Sequence, residues 1–95
     1  MSVPIWSNVK FKVKQTCEED FIASVKEMEK IDEQYAASFR TIQLEDNQFV
    51  MIVELADMDA VIESQVDALI WLDGVSEMLE PIEGSRTVSM SGFVV

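Results

Sequence analysis

The chain lacks histidine and has little cysteine, glycine, proline or positive charge among its 95 residues. Without histidine it cannot build a Ser-His-Asp triad, a Cys-His dyad or an imidazole metal site from its own residues. Its single cysteine, Cys17, excludes an intramolecular disulfide and a thiolate zinc site, which is typical of a reducing, cytoplasmic location. The glycines at positions 74, 84 and 92 form no phosphate-binding loop.

Basic residues are scarce: 7 Lys and Arg oppose 18 Asp and Glu, for a net charge of −11. Such a surface repels phosphate backbones and anionic membranes, so no nucleic-acid or membrane partner is expected. The first ten residues lack the features of a signal peptide, and no apolar run approaches the roughly 20 residues of a membrane helix. Because 48% of the residues are hydrophobic, we expect one folded domain over residues 1–95.

Four segments have the alternating pattern of β-strands, and they are joined by turn residues. Asp46 and Asn47 both tolerate the left-handed backbone of a tight hairpin between the second and third strands. The third strand is apolar on both faces, which indicates burial on both sides. The predicted strands are NVKFKVK (8–14), SFRTIQLE (38–45), QFVMIVEL (48–55) and RTVSMSGFVV (86–95).

Two helices separate these strands. The first, over residues 18–36, has an apolar stripe of Phe21, Val25, Met28, Ile31 and Tyr35. The second is capped by Asp57. Its apolar positions include Val61, Ile62, Val66, Leu69, Ile70 and Leu72.

The second helix is too long for the sheet if it runs unbroken. Over residues 58–80 it would measure about 34 Å, whereas the strands span about 26 Å. We therefore expect a break at Asp73–Gly74. A short helix with Met78 and Leu79 should follow and end at Pro81.

The order β-α-β-β-α-β predicts a ferredoxin-like α+β fold, a four-stranded antiparallel sheet with both helices on one face. The other face would carry a large apolar patch beside charged side chains. A second copy of the sheet packed against it, in a twofold homodimer, would cover this patch. The residues expected there are Ile42, Val50, Ile52 and Phe93, beside Lys10, Lys12, Arg40 and Glu54.

Two stretches carry a resemblance to a known family. The strand NVKFKVK leads into EEDFIASVKEM, and the hairpin LEDNQFVMIVEL is followed by ADMDAV. In these features the chain resembles the dimeric α+β barrel superfamily, and within it domains of the antibiotic-biosynthesis-monooxygenase type. The resemblance implies a homodimer with a small pocket between each sheet and its own helices.

The resemblance also implies a chemistry. Quinone-forming members of the family oxidise phenolic polyketides without metal or flavin, so no cofactor is expected. Haem-degrading relatives ligate iron through histidine, which this chain lacks. Where relatives have a Trp-Glu pair after the hairpin, this chain has Glu54–Leu55.

Four residues are candidates for a ligand pocket: Asn8, Tyr35, Trp71 and Trp6. Asn8 matches an asparagine position used in parts of the family and would orient a ligand or, alternatively, end the strand. The Ile62–Leu69 stripe is expected to face the sheet. Trp71 lies off this stripe and is expected as a pocket wall or packing residue. The carboxylate pairs Asp57/Asp59 and Glu63/Asp67 have no calcium-loop spacing, and we expect no metal site.

The leading hypothesis is cofactor-independent oxidation or binding of a small aromatic compound. A non-catalytic, ligand-binding or regulatory homodimer is the alternative, and a purely structural dimer is a third. The sequence leaves open whether the protein is an enzyme and what its ligand is.

Overall fold

A computed structural model describes residues 4–95 and has the predicted β-α-β-β-α-β order. Neighbouring strands are antiparallel, in the order β2-β3-β1, and both β4 and β5 pair with β1. The elements are β1 (Ile5–Val13), α1 (Glu18–Asp32), β2 (Ala36–Gln43), β3 (Gln48–Leu55), α2 (Met58–Val75), β4 (Leu79–Glu80) and β5 (Val88–Phe93).

The sheet differs from the expected one by the short strand β4. Instead of continuing a helix, Leu79 and Glu80 pair with Val13 and Lys12. The last strand, β5, then occupies the remainder of the same β1 edge, opposite residues 5–10. The sheet thus has five strands where four were predicted.

The β2–β3 hairpin forms as predicted. Asp46 and Asn47 have φ angles of 59° and 58°, the left-handed region that both residues tolerate. Alternate β3 side chains are buried under the helices, from Phe49 to Leu55, while those of the opposite face are half-buried. β3 therefore supplies the centre of the core, with only one of its faces fully covered.

Helix α1 buries Phe21, Val25, Met28 and Asp32. This 21-25-28-32 spacing follows one face of a helix closely. The predicted stripe was wrong at its end: Ile31 is 41% exposed, and Tyr35 lies in the turn after the helix. The buried position belongs to the carboxylic acid Asp32.

Helix α2 begins at the predicted cap, where the Asp57 carboxylate accepts a 2.9 Å hydrogen bond from the Ala60 backbone N–H. The predicted break at Asp73–Gly74 is wrong, because the α-helix continues to Val75 and a 3-10 turn, Ser76–Met78, follows. At 18 residues its length is about 27 Å. The comparison of helix length with strand length therefore predicted the end of α2 to within two residues, although not at Asp73–Gly74 itself.

The apolar positions of α2 divide between two faces. Val61, Trp71 and Leu72 pack against the core, and Val75 is part of it. Ile62, Val66, Leu69 and Ile70 are each more than half exposed. The Ile62–Leu69 stripe is thus the outer face of the helix.

The second face of the sheet, here called the open face, has no helix on it. Strand alternation places Ile42, Val50 and Ile52 there, as expected. Phe93 was expected there but pairs with Ile5, whose side chain is on the helix side. Met90, opposite Asn8, takes the open-face position instead.

No helix within residues 4–95 combines the length and apolar character that a bilayer-spanning segment requires.

Candidate functional site

A cavity of about 330 Å³ lies between the sheet and α2 and is open to solvent beside β5, whose residues are exposed. Cavities of roughly 300–1,000 Å³ are the size in which proteins hold small molecules. Its walls come from both helices and from β1, β3 and β5. The lining residues are Ser7, Val9, Phe11, Met28, Asp32, Met51, Val53, Leu55, Val61, Ser64, Gln65, Ala68, Leu69, Trp71, Leu72, Thr87, Ser89 and Ser91.

The cavity exists because small side chains face the sheet in the middle of α2. Ser64 and Ala68, one turn apart, occupy the inner face between Val61 and Trp71. The Ser64 hydroxyl donates to the Val61 carbonyl oxygen at 3.1 Å, so its polarity is satisfied within the helix. Larger apolar residues at these two positions would occupy the space that the cavity now holds.

Hydroxyl groups line the β5 side of the cavity. Ser89 and Ser91 face the same side as Ser7 of β1, and the Ser91 hydroxyl donates to that of Ser7 at 3.0 Å. Arg86, just before β5, contacts the Asp73 carboxylate and the Ser76 hydroxyl at 2.8 Å each. These contacts connect the chain entering β5 to the end of α2.

Trp71 is both a core residue and a cavity wall. Its indole N–H donates to the Ser24 carbonyl oxygen of α1 at 3.0 Å. Its ring meets Phe11 edge-on at 5.7 Å between centroids and Phe21 at 6.0 Å. The indole thus joins the two helices to the sheet and has no free polar atom for catalysis.

Among the described residues 4–95, Asp32 is the one ionisable residue that lines the cavity. It is only 5% exposed, and among residues 4–95 nothing donates a hydrogen bond to its Oδ1 atom. Burial, followed by the negative charge of Asp67, raises the pKa of this carboxyl above its ordinary value. An unpartnered buried carboxyl is costly, which makes Asp32 the most unusual polar group of the site.

Tyr35 lies beside this carboxyl, outside the set of cavity-lining residues. Its backbone N–H donates to the Asp32 carbonyl oxygen at 2.9 Å. Burial, then the charges of Asp67 and Glu63, raises the pKa of its phenol. Glu63 and Asp67 thus contribute negative potential near Tyr35 and Asp32.

The structure does not bring the four predicted pocket residues together. Trp71 lines the cavity and Tyr35 is adjacent to it. Asn8 pairs with Ile52 and Met90, so it is on the open face, and Trp6 lies two residues away on that same face. Because strand side chains alternate, Asn8 and Trp6 have the sheet between them and the cavity.

The sequence patterns did not identify Asp32, Ser64 or the β5 hydroxyls as residues of the site. The spacing of Asp32 from Phe21, Val25 and Met28 was a usable signal, since these four positions share one helical face. No comparable signal marked Ser64, because α2 is apolar on both of its faces. Within residues 4–95 no cluster of three acidic or cysteine side chains could hold a metal ion.

The fold is that of α+β domains of the antibiotic-biosynthesis-monooxygenase type, as the resemblance in sequence predicted. A protein named as a candidate antibiotic biosynthesis monooxygenase from Nitrosomonas europaea superposes with a TM-score of 0.82 at 17% identity, over 100% of this chain and 93% of that one. One of the same name from Bordetella bronchiseptica has a TM-score of 0.77 at 16% identity, over 98% of both chains.

A conserved protein from Methanosarcina mazei also shares the fold, with a TM-score of 0.78 at 18% identity, over 96% of this chain and 92% of that one. No protein-family model matches the sequence, and no curated protein is significantly similar to it. At these identities the likeness establishes the fold and leaves the substrate undefined.

Proposed function

We propose that the protein binds a small, electron-rich aromatic compound between its sheet and α2 and oxidises it with molecular oxygen, without a cofactor. The observation that carries this proposal is the cavity of about 330 Å³, with apolar walls and a few polar groups. That combination is typical of small-molecule sites. The names of the structural neighbours from Nitrosomonas and Bordetella support oxygenation as the reaction class.

The chemistry needs a substrate that can itself reduce oxygen. In the overall reaction, the methylene group of an anthrone and one O₂ molecule give a quinone carbonyl and one water, so the substrate supplies every electron that oxygen accepts. The contribution of the protein is to bind the ring, remove a proton and exclude bulk water. The lack of histidine favours this chemistry over histidine-ligated haem.

Oxygen uptake with 1,8-dihydroxyanthrone, followed together with quinone absorbance, tests the proposal. We expect uptake above the rate without protein, and its loss in Ser64→Leu, which fills the cavity. Val66→Leu, on the outer face of α2, is the matched control and should retain the activity. Equal uptake with the wild type, Ser64→Leu and no protein would contradict the proposal.

A non-catalytic ligand-binding or regulatory protein is the alternative, since the same cavity would serve it. In that case aromatic probes bind in a Ser64-dependent manner, and no oxygen is consumed. The two functions are therefore separated by the oxygen electrode, with binding measured on the same samples.

The proposal includes a homodimer formed by two open faces and a cytoplasmic location. The open face combines apolar Ile42 and Met90, 45% and 71% exposed, with charged strand residues. We expect light scattering to give twice the chain mass of 10.8 kDa, and Met90→Lys to shift the protein towards the monomer. A wild-type mass of one chain at micromolar concentration would contradict the dimer.

A further inference from the structure

We propose that Asp32 is the recognition group of the cavity: it accepts a hydrogen bond from an uncharged aromatic ligand that carries a hydroxyl group, and it makes the cavity reject anionic ligands. The site therefore selects phenols, or the enol form of an anthrone, over aromatic acids. Asp32 also accepts the proton that the hydroxyl gives up before oxidation. This last step alone rests on the proposed function.

The first argument is the unsatisfied hydrogen-bonding capacity of the carboxyl. Asp32 is buried, with only 5% of its surface exposed. Within residues 4–95, no group donates a hydrogen bond to its Oδ1 atom. Buried polar atoms are nearly always paired. Asp32 lines a cavity large enough for a bicyclic ring. Because Oδ1 itself has almost no accessible surface, the carboxyl has to rotate towards the cavity before a ligand hydroxyl in that space provides the missing donor.

The second argument is the charge around the cavity. In the part of the chain that the structure describes, no lining residue is Lys or Arg, and those from the strands carry no charge. The charged groups near Asp32 are acidic: Asp67 from α2 acts on its carboxyl, and Glu63 and Asp67 act on neighbouring Tyr35. Next to Asp32, a ligand carboxylate or phosphate would be repelled by these negative charges, whereas a neutral donor would meet an acceptor.

The third argument is the placement of the aromatic wall. Trp71 lines the same cavity and is fixed by its bond to Ser24 and its contacts with Phe11 and Phe21. A rigid aromatic wall together with one acceptor suits a flat ring that bears one hydroxyl.

The proton transfer follows from the same contact. The ligand O–H bond breaks, its electron pair stays on the ligand oxygen, and the proton bonds to Asp32. The resulting phenolate gives an electron to O₂. The two radicals combine at the carbon that is the methylene group of the anthrone, and the peroxide anion formed there takes the proton back from Asp32. Loss of the remaining hydrogen on that carbon as a proton, with cleavage of the O–O bond, then leaves the carbonyl and water.

The test uses three probes that share one ring system: 2-naphthol, 2-methoxynaphthalene and 2-naphthoate. Their fluorescence titration is made with the wild type, Asp32→Leu, Asp32→Asn and Glu33→Gln. Glu33 follows Asp32 and is exposed, so its variant is a control for the loss of one negative charge at the end of α1.

We expect the wild type to bind 2-naphthol at least about ten-fold more tightly than 2-methoxynaphthalene, which is the difference in affinity that a hydrogen bond to a charged group provides. Its affinity for 2-naphthoate should be the weakest of the three. Asp32→Leu should lose the preference for the hydroxyl and gain affinity for 2-naphthoate, while Glu33→Gln should behave as the wild type. A merely structural defect would weaken all three probes together.

Asp32→Asn separates recognition from proton transfer. Its amide oxygen still accepts a hydrogen bond, so a smaller hydroxyl preference should remain, but it cannot take the proton and anthrone oxidation should stop.

Several results would overturn the proposal. They are a wild type without hydroxyl preference, Asp32→Leu with the preference intact, tight binding of 2-naphthoate by the wild type, or no binding of any probe. Hydroxyl preference without oxygen uptake would instead contradict only the proposed oxidation.

Discussion

The two faces of α2 differ in a way that hydropathy does not indicate. The outer face carries Ile62, Val66 and Ile70, each at least 60% exposed. Leu69, 51% exposed, lies at the edge of this face and also lines the cavity. The inner face, which meets the sheet, includes the small residues Ser64 and Ala68 between larger apolar ones. The inner face therefore has two small side chains where larger ones would fill the core, and the space beside them is the cavity. A helix selected only for packing would place large apolar side chains at these two positions as well.

The largest expected contrast between these faces is in stability. Trp71→Ala should lower the free energy of unfolding by about 3–5 kcal/mol, as for large core truncations, because it removes the contacts with two rings and the bond to Ser24. Ile70→Ala, next to it on the outer face and 66% exposed, should cost about 0.5 kcal/mol or less. Urea unfolding of both variants measures the difference, and equal costs would abolish the distinction between the faces.

The buried Asp32 carboxyl, whose Oδ1 atom has no donor among residues 4–95, should lower the free energy of unfolding at neutral pH. Because the folded-state pKa of Asp32 is raised, its protonated form favours the folded state below the unfolded pKa, and this advantage is lost as pH rises through the folded pKa. Asp32→Asn should therefore be more stable than the wild type by about 1–2 kcal/mol at pH 7.

The pH dependence sharpens this prediction. The advantage of Asp32→Asn should shrink as pH falls from the raised folded pKa towards 3.8, the ordinary value. Unfolding of the variant and the wild type at each pH gives that difference directly, with Glu33→Gln as the charge control. A variant less stable than the wild type at pH 7 would mean that the Asp32 carboxylate has a stabilising partner.

Filling the cavity should change binding more than stability. Ser64→Leu adds an apolar side chain on the inner face, so it should abolish binding of 2-naphthol. The free energy of unfolding should change by no more than about 1–3 kcal/mol, the usual cost of a side chain that is too large for its site. The cost is smaller where the cavity accommodates the added volume. Ser64→Ala removes the hydroxyl without filling the space and should still bind the probe. Undiminished binding by Ser64→Leu would locate the ligand elsewhere.

The smallest effect is expected on the outer face. Val66 is 63% exposed, so Val66→Lys should change the free energy of unfolding by about 0.5 kcal/mol or less. Equal unfolding midpoints for this variant and the wild type at the same protein concentration would agree with an uncovered outer face. A cost above about 2 kcal/mol, as expected for a charge buried without a partner, would show that another surface covers it in solution.

Local patterns predicted the sheet and the helix boundaries better than they predicted the site. The alternation of apolar and polar residues predicted strands β1 to β3. The hairpin was predicted because Asp46 and Asn47 both tolerate the left-handed backbone conformation that they adopt. The length of the sheet gave the end of α2 to within two residues. These features depend on neighbours in the sequence, so they can be inferred without knowing the packing.

The candidate site depends on which face of each helix is inside, and that was not determined by pattern alone. Helical spacing correctly placed Trp71 on a different side of α2 from the Ile62–Leu69 stripe. The stripe, however, was expected to face the sheet, and in the structure it belongs to the outer face of the helix. Asp32 was missed because Ile31 and Tyr35 were taken as the end of the α1 stripe. Asn8 was chosen by family likeness, and strand alternation places it on the open face.

The central claim is that the cavity under α2 binds a hydroxylated aromatic compound through Asp32. A crystal structure of the protein with 2-naphthol tests it most directly. We predict a ring between Trp71 and the β1 strand, with its hydroxyl about 2.5–3.0 Å from a carboxyl oxygen of Asp32. A ring bound on the open face beside Asn8, or within the cavity with its hydroxyl turned away from Asp32, would contradict the claim.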